Sequence, residues 1–148
     1  MDLLRRENVQ IIEKADDWKD AICRSVMPLE KGGFVTSDYK NGVISNVEQM
    51  GPYICLMPHV ALPHARPEQV AVRSQVAVTL FREEVVFDGF DRDDARANLF
   101  ISLAASDNNS HLDVLMKISE VLQDDDKTEA ILNASDEDTL FALFSEEE

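Results

Sequence analysis

The sequence has few of the features that are typical of secreted or membrane-spanning proteins. Only two of its 148 residues are cysteines, Cys23 and Cys55, too few for a disulfide framework. No apolar run approaches the roughly 20 residues that span a bilayer, and the first residues lack the apolar core of a signal peptide. We therefore expect a cytoplasmic protein.

Basic residues are also scarce. The chain has 14 lysines and arginines against 29 aspartates and glutamates, for a net charge of −15 at pH 7. Such a chain repels nucleic acids and anionic membrane surfaces, and its field would steer the approach of a basic protein partner. We therefore expect no nucleic-acid partner.

The usual nucleotide and hydrolase motifs are missing. The sequence has no G-x-G-x-x-G, no P-loop and no nucleophile elbow, so dinucleotide, nucleoside-triphosphate and elbow-type hydrolase chemistry lack support. No repeat or linker divides the chain, and its length predicts a single domain over residues 1–148.

Apolar periodicity predicts alternating helices and strands. Helices are expected from Asp16 or Asp17, from the caps Thr36 and Ser37, over His111–Gln123, near Lys127–Asn133, and from Ser135, where Asp138 would complete a near capping box. Strands are expected at Val9–Ile12, Tyr53–Met57, Gln75–Phe81, Val85–Phe87 after a turn at Glu83-Glu84, and centrally at Leu99–Ala105. These elements predict an α/β sandwich.

One proline-punctuated segment, residues 51–68, holds two of the three histidines. Pro58 precedes His59, and Pro63 precedes His64. Proline fixes its own φ and favours an extended residue before it, so the segment is expected to present an imidazole rigidly. A histidine held in this way suits a nucleophile, a base or a metal ligand.

The third histidine, His111, is expected where a helix begins after a central strand. Unpaired backbone N–H groups and the helix dipole make such a place favourable for an anion. A metal site of all three histidines with Asp107 or Asp113 is one interpretation. A phosphohistidine carrier with His64 as nucleophile is the other. Cys55, inside an apolar strand, is expected to be an inert buried thiol.

The run Pro58-His59-Val60-Ala61-Leu62-Pro63-His64-Ala65-Arg66-Pro67-Glu68, preceded by Gly51-Pro52-Tyr53, resembles the active-site signature of a known family. This family comprises the mannitol/fructose-type (type 2) EIIA components of the bacterial phosphoenolpyruvate-dependent sugar phosphotransferase system. Ala105-Ser106-Asp107 with His111-Leu112 is also similar to it. The approach and exit of the signature look most like the ascorbate-type branch.

The resemblance implies a mixed β-sheet sandwiched between α-helices and a phosphotransferase function. His64 would accept a phosphoryl group from HPr and pass it to a cysteine of an EIIB partner, during uptake of an ascorbate-like compound or a pentitol through the membrane component EIIC. His111 would assist by stabilising the phosphoryl group, Arg66 could contribute charge, and no cofactor or metal is needed. The alternatives are a regulatory EIIA-like protein read by a protein partner, and a metal-dependent enzyme.

The sequence departs from the family pattern at two places. Many members carry an Arg-Glu pair on the helix before the signature, whereas this stretch reads Asn46-Val47-Glu48-Gln49. Arg66 or Arg73 would then have to supply the positive charge. His59 stands where the family usually has glycine, and we expect it to be a surface side chain rather than part of the chemistry.

Overall fold

The structure is a computed structural model of the 148-residue chain. It describes residues 4–57, 59–64, 75–90, 94–104 and 108–145, without the side chains of Leu56, residues 108–111, Val114 and Ser145. No helix in these ranges is long and apolar enough to cross a membrane.

Five strands form one mixed sheet in the order β1-β4-β5-β3-β2. The strands β1 and β4 are parallel, as are β3 and β5, whereas β4 and β5 and also β2 and β3 are antiparallel. Their bounds are β1 Leu4–Ile12, β2 Cys55–Met57, β3 His59–Ala61, β4 Gln75–Val86 and β5 Arg96–Ala104. The apolar strand expected to be central, β5, is the middle strand of the sheet.

Helices cover both faces of the sheet, which confirms the predicted α/β sandwich. They are α1 Trp18–Lys31, α2 Asp38–Met50, α3 Asn108–Leu122, α4 Asp125–Leu132 and α5 Glu137–Ser145. Successive residues of a strand point to opposite faces. Phe81 and Phe100 accordingly belong to the core under α1 and α2, and Leu80 and Ile101 to the core under α3, α4 and α5.

The helix α1 forms as its sequence predicts. Asp17 caps it by accepting a hydrogen bond from the N–H of Asp20 at 2.8 Å. The stripe proposed from the helical period is buried in full and comprises Trp18, Ala21, Ile22, Ser25, Val26 and Leu29. The helix includes Pro28 and ends at the cap residue Gly32.

Several strand predictions were wrong in detail. The acidic pair Glu83-Glu84 does not make a turn, because β4 continues to Val86 through a register shift between Leu80 and Val85. An irregular strand at the solvent-exposed end of a sheet can carry charged residues without burying them. The first two residues of the predicted separate strand Val85–Phe87 are therefore the end of β4. The starts also differ: β1 begins at Leu4 rather than Val9, β2 at Cys55 rather than Tyr53, and β5 at Arg96 rather than Leu99. The histidine segment contributes a strand of its own, β3.

The helix starts also differ from prediction. Ser37 precedes α2 but makes no side-chain capping bond. Asp136, not Ser135, caps α5 by accepting a hydrogen bond from the N–H of Thr139 at 2.8 Å. The helix α3 begins at Asn108, so His111 is its fourth residue rather than its first. Local composition located these ends, but several neighbouring polar residues could have served as the cap.

Candidate functional site

The backbone of His64 is attached to the central strand of the sheet. His64 follows β3 and forms an isolated parallel bridge to Leu103 of β5. The N–H of Leu103 donates to the carbonyl of Pro63 at 2.9 Å, and the N–H of Leu62 donates to the carbonyl of Ile54 at 2.8 Å. The proline-punctuated segment is therefore held from both sides rather than being stiff only through its own prolines.

A backbone carbonyl orients the imidazole of His64. Its Nδ1 lies 2.5 Å from the carbonyl oxygen of Leu62, and the side chain is half-buried. A carbonyl oxygen only accepts, so Nδ1 is the donor and carries the proton. In the neutral ring the lone pair is therefore on Nε2, the nitrogen at which the ring can act as a nucleophile.

Tyr53 supports the same residue from the backbone side. Its hydroxyl donates to the carbonyl of His64 at 2.5 Å, and the two rings meet edge to face with centroids 5.1 Å apart. Burial raises the pKa of the Tyr53 hydroxyl, with a hydrogen bond to Asn46 acting in the opposite direction. Tyr53 therefore remains a protonated donor at neutral pH.

Tyr39 supports the neighbouring strand in a similar way. It is buried in the core, and its hydroxyl donates to the carbonyl of Leu103, the bridge partner of His64. Neither tyrosine had been assigned a role from sequence, although Tyr53 stands in the family signature. One signal was available, because a tyrosine predicted to be buried needs a partner for its hydroxyl.

The structure brings the segments of His64 and His111 around one apolar cavity. Leu62, two residues before His64, and Leu115, one helical turn after His111, both line a cavity of about 260 Å³. The side chain of His111 lies outside the described part of the chain, so its contact with His64 stays a prediction. Arg66, Arg73 and Asp107 also lie outside the described residues.

His59 is separate from this arrangement. It begins β3 with a φ of 69°, and its Nδ1 lies 3.4 Å from a carboxylate oxygen of Glu84. His64 lies five residues after His59 along an extended segment, so their Cα atoms are about 16 Å apart. Zinc ligands must lie within about 2.1 Å of the ion, and the two rings hydrogen-bond at different places. This geometry does not support one metal site shared by all three histidines.

The positive φ also explains why glycine suits position 59. Glycine adopts this backbone region without steric cost, and other residues rarely do. The side chain of His59 is about half-exposed, and its partner Glu84 also pairs with Arg96 at 3.3 Å. His59 is thus the surface side chain that we expected.

The C-terminal half of the helix before the histidine segment supplies polar rather than basic groups. Asn46 hydrogen-bonds to Tyr53, and Glu48 pairs with Lys19 at 2.9 Å. Asn46 is therefore linked to His64 through Tyr53. The missing arginine of the family pattern has no basic replacement on α2 near this tyrosine.

Two large apolar side chains on α3 are exposed beside the cavity. Leu112 is 58% exposed and Met116 is 65% exposed, and they are four residues apart, hence on one helix face. Leu112 directly follows His111 in the chain. Two exposed apolar side chains on one helix face are a candidate docking surface for another protein.

Comparison with known proteins places these features in a family. The family model "Phosphoenolpyruvate-dependent sugar phosphotransferase system, EIIA 2" matches residues 2–147. The phosphotransferase IIA component SgcA of Escherichia coli K12 is 39% identical over 93% of this chain and 94% of its own length. An ascorbate-specific EIIA component of Shigella boydii is 30% identical over 84% of this chain and 80% of its own length.

Two solved structures share the fold over nearly the whole chain. The mannitol-specific cryptic enzyme IIA CmtB of Escherichia coli superposes with a TM-score of 0.90 at 32% identity, covering 98% of this chain and 97% of that one. Enzyme IIA of the mannitol system of Escherichia coli, solved in complex with phosphorylated enzyme IIB, superposes with a TM-score of 0.82 at 25% identity, covering 97% of each chain.

Proposed function

Because the chain belongs to the EIIA 2 family of the phosphoenolpyruvate-dependent sugar phosphotransferase system, we propose that it carries a phosphoryl group on His64. The family predicted from the histidine segment is confirmed, and the chain is a phosphotransferase component. Within that family, the donor is phosphorylated HPr, the acceptor is a cysteine of an EIIB partner, and the membrane component EIIC takes part indirectly. The protein acts in the cytoplasm.

The observation that carries this proposal is the hydrogen bond between Nδ1 of His64 and the carbonyl of Leu62. It leaves the lone pair of the neutral ring on Nε2, while Tyr53 holds the backbone of the same residue. A phosphoryl carrier must offer one nitrogen in a constant position to two successive proteins. The ring of His64 is held at Nδ1, and the backbone of the same residue is held at its carbonyl. This arrangement meets the requirement.

One phosphoryl group is transferred in two steps, and in each step one bond to phosphorus breaks as another forms. The bond between phosphorus and the donor histidine of HPr breaks as a bond from phosphorus to Nε2 of His64 forms. In the second step this bond breaks, and the phosphoryl group joins the thiolate sulfur of the EIIB cysteine. Phosphoryl transfer has a loose transition state, so the protein contributes mainly position and charge stabilisation.

His111 and the first N–H groups of α3 hold the phosphoryl oxygens in this scheme. The helix α3 begins four residues after β5 ends at Ala104, and those four residues span at most about 14 Å. The first turn of α3 therefore stays near the end of the sheet where His64 bridges Leu103. Arg66, two residues after His64, adds positive charge, and the step uses neither a metal ion nor a cofactor.

The exposed apolar face of α3 supports protein partners for this site. Leu112 and Met116 lie on the helix that starts beside the proposed phosphate position. The related mannitol enzyme IIA was solved in complex with phosphorylated enzyme IIB. We infer an EIIB domain as acceptor here, in the uptake of an ascorbate-like compound or a pentitol. The identities to mannitol-specific and ascorbate-specific relatives are 33% and 30%, so they do not choose between these substrates.

A phosphate relay tests the proposal. Phosphoenolpyruvate labelled with ³²P, enzyme I and HPr are incubated with the purified chain, and acid-labile label is measured. We expect label on the wild-type chain, none on His64→Ala, and transfer to a matching member of a panel of EIIB domains. His111→Ala should take label more slowly. An acceptor of HPr label that serves no EIIB domain would instead be a regulatory protein.

His59→Ala is the matched control, because it removes a neighbouring histidine that lies outside the proposed chemistry. It should be labelled as fast as the wild type. Nuclear magnetic resonance spectra of each variant verify that the fold is intact. Acid-labile label retained on a folded His64→Ala protein would exclude His64 as the carrier.

A further inference from the structure

A second cavity, of about 480 Å³, lies on the other side of the sheet from α3. It is formed by the edge strand β1 and the C-terminal part of α1, and none of its lining residues belongs to the His64 site. Polar and charged side chains share its wall with apolar ones. They include Arg5, Glu7, Asn8, Pro28, Lys31 and Phe34.

Asn8 is the unusual member of this wall. It is only 3% exposed, yet its amide Nδ2 has no hydrogen-bond partner in the part of the chain that the structure describes. Buried side-chain amides are nearly always paired, since an unpaired donor loses its water without replacement. An acceptor atom inside the cavity would satisfy this donor.

An irregularity in β1 accompanies this position. Leu4 pairs with Val76 and Val9 pairs with Val78, so five steps along β1 match only two along β4. The additional residues of β1, Asn8 among them, leave the regular ladder. Bulges of this kind redirect side chains and are over-represented beside functional sites.

The cavity is positively charged within a strongly acidic protein. Arg5 and Lys31 outnumber Glu7, although the chain as a whole carries −15. The guanidinium carbon of Arg5 lies 5.7 Å from the centroid of the Phe34 ring, which holds this charge against the wall. The approach of Arg5 to Glu7, at 4.0 Å between exposed side chains, is a weak ion pair.

The carbonyl groups at the end of α1 do not oppose an anion strongly. The N–H groups of residues 32, 33 and 34 donate to the carbonyls of Pro28, Glu30 and Leu29 at 3.0, 3.1 and 2.9 Å. These bonds satisfy the carbonyls that would otherwise present negative charge to the cavity. The cations and the Asn8 amide are then the principal groups available to a ligand.

We propose that this cavity binds a small oxyanion, either a phosphate or a carboxylate. Nδ2 of Asn8 donates a hydrogen bond to one ligand oxygen, and Arg5 and Lys31 neutralise the charge. The site is distinct from His64. Leu4, Val76, Leu103 and His64 are paired in one row across the sheet, so three strand spacings, about 14 Å, separate Leu4 from His64.

A titration followed by ¹⁵N nuclear magnetic resonance tests the proposal on the whole chain. Sodium phosphate is added in one series and sodium acetate in another, with sodium chloride keeping the ionic strength constant. We expect a saturable shift of the Asn8 side-chain amide signals in at least one series. Saturation by phosphate alone identifies a phosphate site, and saturation by acetate alone a carboxylate site. This signal is independent of phosphate binding near His64, so failure of the phosphate relay would not affect it.

Variants make the result specific. Arg5→Gln and Lys31→Gln should each weaken the affinity about tenfold, as expected for one charge-assisted hydrogen bond. Lys127→Gln, which removes a positive charge from α4 on the opposite face of the sheet, should leave the affinity unchanged. The proposal is overturned if neither anion saturates the Asn8 signals, or if Arg5→Gln and Lys31→Gln bind as tightly as Lys127→Gln.

Discussion

At the scale of single residues, the chemistry proposed for His64 depends on a main-chain group two residues away. The carbonyl of Leu62 accepts a hydrogen bond from Nδ1 of His64, and the hydroxyl of Tyr53 donates one to the carbonyl of His64 itself. The backbone N–H of Leu62 is in turn bonded to Ile54. The orientation of the ring therefore depends on the pairing of the strands around it. A substitution of Tyr53 or Tyr39 would affect the position of the imidazole through the backbone.

The tautomer of His64 can be observed directly. We expect long-range ¹H–¹⁵N spectra of the unphosphorylated protein, at a pH where the ring is neutral, to show the proton on Nδ1. The carbonyl of Leu62 selects this form because it only accepts. The same protein unfolded in urea is the control, in which this selection should disappear. A folded protein with the proton of His64 on Nε2 would contradict the assignment of that nitrogen as the nucleophile.

His59 allows a test of backbone strain outside the proposed site. Its φ of 69° suits glycine, so His59→Gly should be more stable than His59→Ala by about 1 kcal/mol. Both variants lose the imidazole and its contact with Glu84, and the pair therefore isolates the effect of Cβ. Urea denaturation measures the difference. Equal stabilities of the two variants would mean that the backbone at this position is not strained.

At the scale of elements, α5 is attached to the body of the protein through its first turn. Asp136 accepts from the N–H of Thr139, and the neighbouring Asp138 pairs with Arg6 of β1 at 2.6 Å. The N–H of Ile11 on the same strand donates to Glu137 at 3.3 Å. This helix start thus covers part of an exposed strand edge, where unpaired groups would otherwise invite aggregation.

The cap of α5 predicts a pH dependence of stability. The hydrogen bond from the N–H of Thr139, with further help from the Thr139 side chain and Arg6, lowers the pKa of Asp136. A carboxylate with a lowered pKa stabilises the fold above its unfolded pKa, near 3.8, and loses that effect as the pH falls through the folded value. Acidification below pH 4 should therefore weaken the attachment of α5.

Two substitutions separate the cap from its titration. Asp136→Asn keeps an N-cap acceptor but cannot titrate, so its melting temperature should fall less than that of the wild type between pH 5 and pH 3. Asp136→Ala loses the cap and should melt lower already at pH 7. Thermal unfolding followed by circular dichroism measures both variants. Identical acid sensitivity of Asp136→Asn and the wild type would show that titration of this carboxylate contributes nothing to the loss of stability at low pH.

At the scale of the whole molecule, the sheet separates two helical layers and holds His64 beside its central strand, through the bridge to Leu103. The layer with α3, α4 and α5 includes the exposed Leu112 and Met116. The other layer, with α1 and α2, supplies the supporting hydroxyl of Tyr39. We therefore expect the proposed partners to bind on the α3 side, while the layer of α1 and α2 supports the site from the opposite face of the sheet.

The exposed face of α3 can be tested by one substitution. Met116→Ser should raise the concentration of phosphorylated HPr or of EIIB needed for half-maximal transfer about tenfold, because partner burial of this side chain would be lost. The rate at saturation should change little. Val86→Thr is the control. Val86 is also exposed, but it is the last residue of β4, at the end of this strand that is far from His64. Equal effects of the two substitutions would exclude a specific role for this face in docking.

Much of this architecture could be predicted from the sequence because it depends on local patterns. The buried stripe of α1, the central position of β5 and the α/β sandwich follow from apolar periodicity, which reflects the burial of one face. The strand boundaries were less predictable. Glu83 and Glu84 resemble turn residues in sequence, yet β4 continues through them because the next residues, Val85 and Val86, pair again with β5.

The sequence by itself determined the family, the proline-histidine segment and the choice of His64 as the candidate carrier. Those conclusions need only residue types at a fixed spacing. The tertiary structure alone decided which ring nitrogen of His64 carries the proton, that Tyr53 bonds to the carbonyl of His64, and that Tyr39 bonds to the carbonyl of its bridge partner Leu103. It also separated His59 from the site and left the amide Nδ2 of Asn8 without a hydrogen-bond partner among the described residues. These features depend on which backbone and side-chain groups from distant parts of the chain become neighbours, and no local pattern encodes that.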